Sequence, residues 1–351
     1  MTCSFLRMLF PVLLMLAAVA PAHAQGRLKD WSWNPAIEVA GQTVVFPSHS
    51  PFTLADVGRG AESDPPQDAT GTLFMPPSAS PATPVPAVVL LHGSSGVQAA
   101  RELTYGRELA AMGVAVLVVD SFAPRRDRAR GFTERLLKIT ETMLLADAYA
   151  ALRFLASRSE IDETRIALVG FSYGGMAATY AVYAQVAERL APEGRRFVGH
   201  VAFYAPCIVR FDDSRTTGAP VLMLAGAEDE IVDRERCAEV ADDLRSGGSA
   251  VETIVYPGAF HQWDGSLTGP RRIGRLLTAC DFRVETDGAV RDNRTGLVMS
   301  GPFTRRLILA FCVGSEGYLI GRDDRIRAQS NRDLGHFLAR IFDKAGASRT
   351  E

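Results

Sequence analysis

The stretch Gly170-Phe171-Ser172-Tyr173-Gly174-Gly175 constrains this chain more than any other, because of what stands on either side of it. The apolar run Ile166-Ala167-Leu168-Val169 reads as a buried strand, and residues 176–186 suit a helix. A strand that reverses into a helix over so few residues brings two backbones together, and glycines at 170 and 174 permit that approach. The turn pushes the serine hydroxyl into open space. Ser172 is therefore the candidate nucleophile, and the alternative is an ordinary glycine-rich turn between strand and helix.

A serine hydroxyl is a weak nucleophile at neutral pH and needs a histidine base oriented by a carboxylate. Both follow in the chain. The apolar run Val221-Leu222-Met223-Leu224 leads into Ala225-Gly226-Ala227-Glu228-Asp229-Glu230, a cluster of acids just beyond an expected strand. Asp229 has the best spacing from Gly226 and Val232, Glu228 and Glu230 remain alternatives, and Asp233 fits the cap of the next helix. A further strand at 251–256 runs into a turn that leaves His261 on a loop, completing the order Ser, Asp, His. The other histidines have blander readings: His23 in a leader, His49 in a polar stretch before the sheet, His200 inside a strand, and His336 off the apolar face of the last helix. Acyl transfer also needs two N–H groups aimed at the developing oxyanion. Tyr173 supplies one, and Ser94 in the loop His92-Gly93-Ser94-Ser95-Gly96 supplies the other, with His92 bracing that loop.

Taken together, the HG-x-x-G loop, G-x-S-x-G-G, G-x-x-D-x-x-V and the late loop histidine resemble an α/β-hydrolase, and within that superfamily the dienelactone hydrolase family. Residues 118–125 after an expected strand and the short path from Ser172 to His261 carry the closer resemblance, over roughly residues 70–263 plus the last helix. The founding dienelactone hydrolases carry cysteine where this chain has Ser172, so their substrate does not transfer. The resemblance implies hydrolysis of an ester or lactone through an acyl-enzyme, with no metal and no organic cofactor. Phe122, Tyr173 and Trp263 are expected to wall the acyl pocket. Arg125, in a basic cluster with Arg126, Arg128 and Arg130, either lies on a solvated loop face or draws an anionic substrate to the pocket mouth.

Residues 1–24 carry one basic residue, Arg7, an apolar core and Ala22-His23-Ala24, which reads as a signal peptide cleaved after Ala24 and directs the protein to the periplasm or beyond. Without Cys3, four cysteines remain for an oxidising compartment. Of the three possible pairings, Cys207 with Cys237 and Cys280 with Cys312 is preferred because each brackets a local segment.

Apolar strand runs at 71–75, 87–91, 114–119, 165–169, 198–204, 220–224 and 251–256 alternate with helical patterns. This is the signature of an α/β fold in one domain (25–351), with a mainly parallel central sheet flanked by helices. Residues 265–331 exceed a minimal loop. Strand-like pieces at 281–284, 297–299 and 307–313, with a turn at Asp287-Gly288, predict a disulfide-stapled β-rich insertion before the last helix, which shapes substrate choice or forms a subunit contact. A formal net charge of −2 gives no basic balance for nucleic acid or for a membrane surface once the leader is removed. The expected partner is a small-molecule ester or lactone. Peptide cleavage and polyester or polysaccharide-ester cleavage use the same triad, and a non-catalytic binding protein on this fold is the reading from another class.

Overall fold

The structure, a computed structural model, describes residues 28–31 and 38–347. The leader expectation, its cleavage after Ala24, Cys3 and His23 lie outside those residues.

Two antiparallel strands, β1 (Gly41–His49) and β2 (Pro66–Phe74), open the main sheet at one edge. β2 also runs antiparallel to β4 (Ala115–Asp120), which lies beside β3 (Val85–Leu91). From β4 through β3, β5 (Ile161–Phe171), β6 (His200–Phe203), β8 (Val221–Gly226) and β9 (Val251–Tyr256) every neighbouring pair is parallel. Val88, Val89, Leu90 and Leu91 are all buried, and since successive strand side chains point to opposite faces, both faces of the sheet are covered. α1 (Glu102–Ala111) covers β2 and β4, α2 (Phe132–Lys138) packs instead on the later helix Pro302–Cys312, α3 (Glu141–Ala156) covers β1 and β5, α4 (Tyr173–Tyr180) covers β5 and β6, and α5 (Ala184–Leu190) packs on α3. α6 (Arg234–Ser246) lies on β9, and the last helix, Asp324–Ala347, lies on β5 and β8. Asp233 caps α6, accepting from the N–H groups of Glu235 and Arg236.

The sheet begins earlier than the apolar runs indicate. β1 is an edge strand in which only Phe46 and Ser48 are fully buried, and Ser48 turns its hydroxyl inward to donate to Asp147 at 2.7 Å. A polar residue on the core face and Pro47 in the strand hide the alternation, yet both suit an edge.

The segment after His261 departs more from its expected form. It contains β10 (Arg271–Ile273) paired with β13 (Tyr318–Ile320), and β11 (Phe282–Val284) paired with both β12 (Val290–Asp292) and β7 (Val209–Phe211). The Asp287-Gly288 turn joins β11 to β12, and 297–299 makes only a single bridge between Val298 and Arg291. The expected strand at 307–313 is instead helix α7 (Pro302–Cys312), so the last helix, Asp324–Ala347, is α8. A short apolar run such as 307–311 does not distinguish strand from helix. The start signals were present: Pro302 opens the helix, and Thr304 Oγ1 accepts from the N–H of Ser300 at 2.9 Å and of Gly301 at 3.1 Å. Both preferred disulfides form, Cys207–Cys237 and Cys280–Cys312, the second tying the end of α7 to the residues before β11.

Candidate active site

Ser172 sits between β5 and α4 with φ 51° and ψ −109°, a backbone region that costs a side-chain-bearing residue about 1–3 kcal/mol. The flanking glycines explain how the turn closes. A Cβ on Gly174 would stand 2.6 Å from the carbonyl oxygen of Leu91, and one on Gly170 would collide with the backbone of Gly174. Among the described residues the other non-glycine positions with positive φ are Tyr204 (39°) and Gln262 (59°), one packed on His261 and the other following it. Backbone strain is thus concentrated around one side chain.

That side chain is His261, fully buried, whose Nε2 lies 2.9 Å from Ser172 Oγ and whose Nδ1 lies 2.7 Å from Asp229 Oδ2. Asp229 Oδ1 accepts from the N–H of Ile231 at 3.1 Å, which fixes the carboxylate. The N–H of Glu228 donates to Ala259 O at 3.0 Å, so the acid loop and the histidine loop are joined directly. The neighbouring acids are placed elsewhere: Glu228 is exposed, and Glu230 accepts two hydrogen bonds from Arg272 and one from the N–H of Leu319. The segment beyond His261 takes part too. His261 N–H donates to Leu319 O at 3.3 Å, and the N–H of Gly321 donates to His261 O at 3.2 Å, so β13 clamps the histidine backbone.

Ser94 follows β3 in the loop that faces Ser172, and Ser94, Ser172 and Tyr173 line one cavity. His92 braces this loop. Its Nε2 accepts from the N–H of Ser121 at 3.2 Å, so Nδ1 carries the proton and donates to Gly93 O at 2.7 Å. The Tyr173 hydroxyl donates to Ile139 O at 2.7 Å, holding that ring in the cavity wall, and burial pushes its pKa well above the usual phenol value.

Three other pocket expectations are corrected. Trp263 is fully buried behind the histidine, edge-on to Tyr204 at 4.8 Å and donating through its ring N–H to Ser330 Oγ at 3.1 Å; it is core. Phe122 is buried against His92 at 4.4 Å and beneath the Arg135 guanidinium at 5.0 Å, outside the cavity lining. Arg125 is buried, bonded through both terminal nitrogens to Asp147 at 2.6 and 3.0 Å and through Nε to Ser50 Oγ at 2.9 Å. It fastens the β1 end to α3 and does not face a substrate. Aromatic residues and arginines near catalytic motifs look alike in sequence whether they face a pocket or the core; only the fold separates them.

Sequence reasoning missed a polar network behind His261. Tyr204 stacks edge-on to the imidazole at 4.7 Å and donates its hydroxyl to Asp264 Oδ1 at 2.6 Å. The Tyr105 hydroxyl donates to the other Asp264 oxygen at 3.2 Å, and Arg101 Nη1 donates to the Tyr204 hydroxyl at 3.4 Å. Asp264 lies three residues after His261, but these partners come from distant elements and no local pattern announces them.

An imidazole between a hydroxyl and a buried carboxylate can accept the hydroxyl proton while the carboxylate holds the tautomer. Residues 70–266, more than half of the chain, match the dienelactone hydrolase family. The chain belongs to the dienelactone hydrolase family. A Bradyrhizobium protein described as a "Probable 2-oxo-3-(5-oxofuran-2-ylidene)propanoate lactonase" is 24% identical over 189 residues, 50% of this chain and 73% of the relative. The chain spans only 38–55% of the length of three further bacterial relatives. Among solved structures, a dienelactone hydrolase-like promiscuous phosphotriesterase from metagenomic libraries is similar at 21% identity and a TM-score of 0.48, covering 65% of this chain and 87% of that one. Thermogutta terrifontis esterase 2 is similar at 17% identity and a TM-score of 0.47, covering 66% and 87%.

Proposed function

We propose that this dienelactone hydrolase family member is an exported serine hydrolase that opens a carboxylic ester or lactone through an acyl-enzyme. The observation that carries the reading is His261, which contacts Ser172 Oγ with one ring nitrogen and Asp229 with the other. Ser172 Oγ attacks the carbonyl carbon as its proton passes to His261 Nε2, and Asp229 stabilises the resulting imidazolium. The carbonyl oxygen becomes an oxyanion held by the N–H groups of Tyr173 and Ser94. Collapse breaks the bond to the leaving oxygen, which takes the proton back from Nε2. Water then attacks the acyl-enzyme by the same route, and Ser172 regains its proton. Export is supported by the two disulfides, since such bonds persist in oxidising compartments.

The test is hydrolysis of p-nitrophenyl esters by the oxidised protein, with Ser172→Ala alongside and a fluorophosphonate probe on both. Turnover and labelling that vanish in the variant support the mechanism. A wild-type protein that is inactive and unlabelled would be a non-catalytic binding protein on a hydrolase fold. N-terminal sequencing of the exported protein tests the leader, with Gln25 as the expected first residue.

A further inference from the structure

Ser172 opens into a cavity of about 660 Å³, a volume in the range of sites that enclose a drug-sized ligand. Its wall is built mainly from aliphatic and aromatic side chains of separate elements: Leu136 of α2, Met176 of α4, Ile208 and Val209 around β7, Leu309 of α7, and Tyr318 of β13. The buried charge on this wall is committed to an ion pair. Arg305, the one buried cation among the described lining residues, donates from both terminal nitrogens to Glu141 at 3.0 Å and from Nε to Leu136 O at 2.9 Å. Arg275 and Arg306 also line the cavity but are exposed. A small anionic lactone would leave most of this apolar wall against water and would meet a buried guanidinium already neutralised by a carboxylate.

The segment 265–323 forms the cap of this cavity. α7 turns Arg305 and Leu309 toward the cavity and leaves Phe303 (80% exposed), Leu307 (40%) and Phe311 (59%) on its outer side. Phe132, another lining residue, is itself 41% exposed, so apolar surface continues from the cavity to the outside. In an acyl-enzyme the acyl half stays bonded to Ser172 while the alcohol departs. A capped space suits the half that stays.

We propose that the cavity is an acyl-chain site, and that the preferred substrate is an ester of an apolar carboxylic acid of about eight to twelve carbons, which the cavity is large enough to enclose. This rests on the serine hydrolase reading. The experiment is kcat/KM for p-nitrophenyl acetate, butyrate, octanoate and laurate, each below its solubility limit, on the oxidised wild-type protein and on Leu309→Trp and Ile208→Trp. Each buried methylene is worth about threefold or more, and octanoate carries four more than butyrate, so it should exceed butyrate by about 80-fold or more. The indole in either variant should cut the octanoate-to-acetate ratio by about tenfold or more, with fluorophosphonate labelling of Ser172 confirming that each variant folds. Acetate or butyrate turned over as well as octanoate overturns the acyl-chain site while leaving the serine hydrolase in place. A ratio unmoved in both labelled variants overturns it as well. Absent turnover together with absent labelling overturns the serine hydrolase reading and this one with it.

Discussion

The sheet that presents Ser172 and the cap that closes over it are held together in different ways. Around Ser172, long strands bury apolar residues on both faces, and the nucleophile is placed by backbone: an N–H from Ser172 to Phe203 O at 2.8 Å and glycines that admit no Cβ. In the cap, strands of three residues alternate with α7, and beside the backbone ties of β11 to β7 and of β13 to His261 the fastenings are side chains, among them the Cys280–Cys312 bridge and the ion pairs Arg305–Glu141 and Arg272–Glu230. Placement by backbone geometry leaves little room for alternative side chains, whereas the part of the cap away from β13, held through side chains and short ladders, can change its lining without disturbing the catalytic contacts. The two regions should therefore fail separately.

The largest effect belongs to the sheet. Ser172→Ala should lower ester turnover by about 10⁵–10⁶-fold and Asp229→Asn by about 10⁴-fold, the second because the wrong histidine tautomer is favoured. Denaturant midpoints measured on the same samples should move little, since neither change opens a void. A loss of turnover accompanied by unfolding would break the separation.

Arg305→Met is the matching test for the cap. It leaves Glu141 without its buried partner, a change worth about 3 kcal/mol of stability. Urea unfolding should show that loss, and the double variant Arg305→Met/Glu141→Leu should recover most of it. Fluorophosphonate labelling of Ser172 should survive both. A single variant that unfolds at the wild-type midpoint would mean that the ion pair does not fasten the cap.

The same division governs what could be read in the sequence. The elbow, the acid loop and the histidine loop are local patterns, because each catalytic side chain stands at the end of a strand whose apolar run is visible. Asp229 could be preferred over Glu228 and Glu230 on spacing alone, and the structure places it nearest the imidazole. The pocket was not legible in this way. Arg125 and Trp263 adjoin the motifs in sequence yet turn into the core, while Leu309 and Val209 line the cavity from positions with no motif at all. Which residues face a cavity depends on long-range packing, and Arg305 meets Glu141 across 164 positions of chain. Helix α7 was obscured because its apolar stripe faces outward at Phe303, Leu307 and Phe311, so the run carries apolar residues on both of its sides.

A smaller effect separates the regions by pH. His200 is buried in β6, its Nδ1 donating to Ala178 O at 3.1 Å, and burial lowers its pKa to about 3. The unfolded chain takes up a proton near pH 6.5 that the folded state resists, so this stabilisation is complete above about pH 6.5 and is lost as pH falls toward 3. Over that window His200 should contribute a slope of up to about 1.4 kcal/mol per pH unit. Unfolding free energies of wild type and His200→Gln, measured from pH 7 to 4, should differ in slope by about one proton. Parallel slopes would place the acid sensitivity elsewhere.

The smallest expected effect lies where sheet and cap meet, at Tyr204. Its ring packs on His261, and burial holds its hydroxyl protonated as a donor to Asp264. Tyr204→Phe keeps the ring and removes the hydroxyl, leaving Asp264 with the Tyr105 hydroxyl at 3.2 Å. The change also takes away the acceptor of Arg101 Nη1, and the two buried hydrogen bonds together are worth about 2 kcal/mol of stability. If the network also steadies the imidazole, kcat should fall about threefold to tenfold with KM unchanged, because orientation of the base matters in the transition state more than in substrate binding. A stability loss with kcat intact would make Tyr204 a packing residue only. The histidine would then be held by Asp229 and by the backbone clamp from β13, which would extend the cap's part in the site from enclosing substrate to fixing the base.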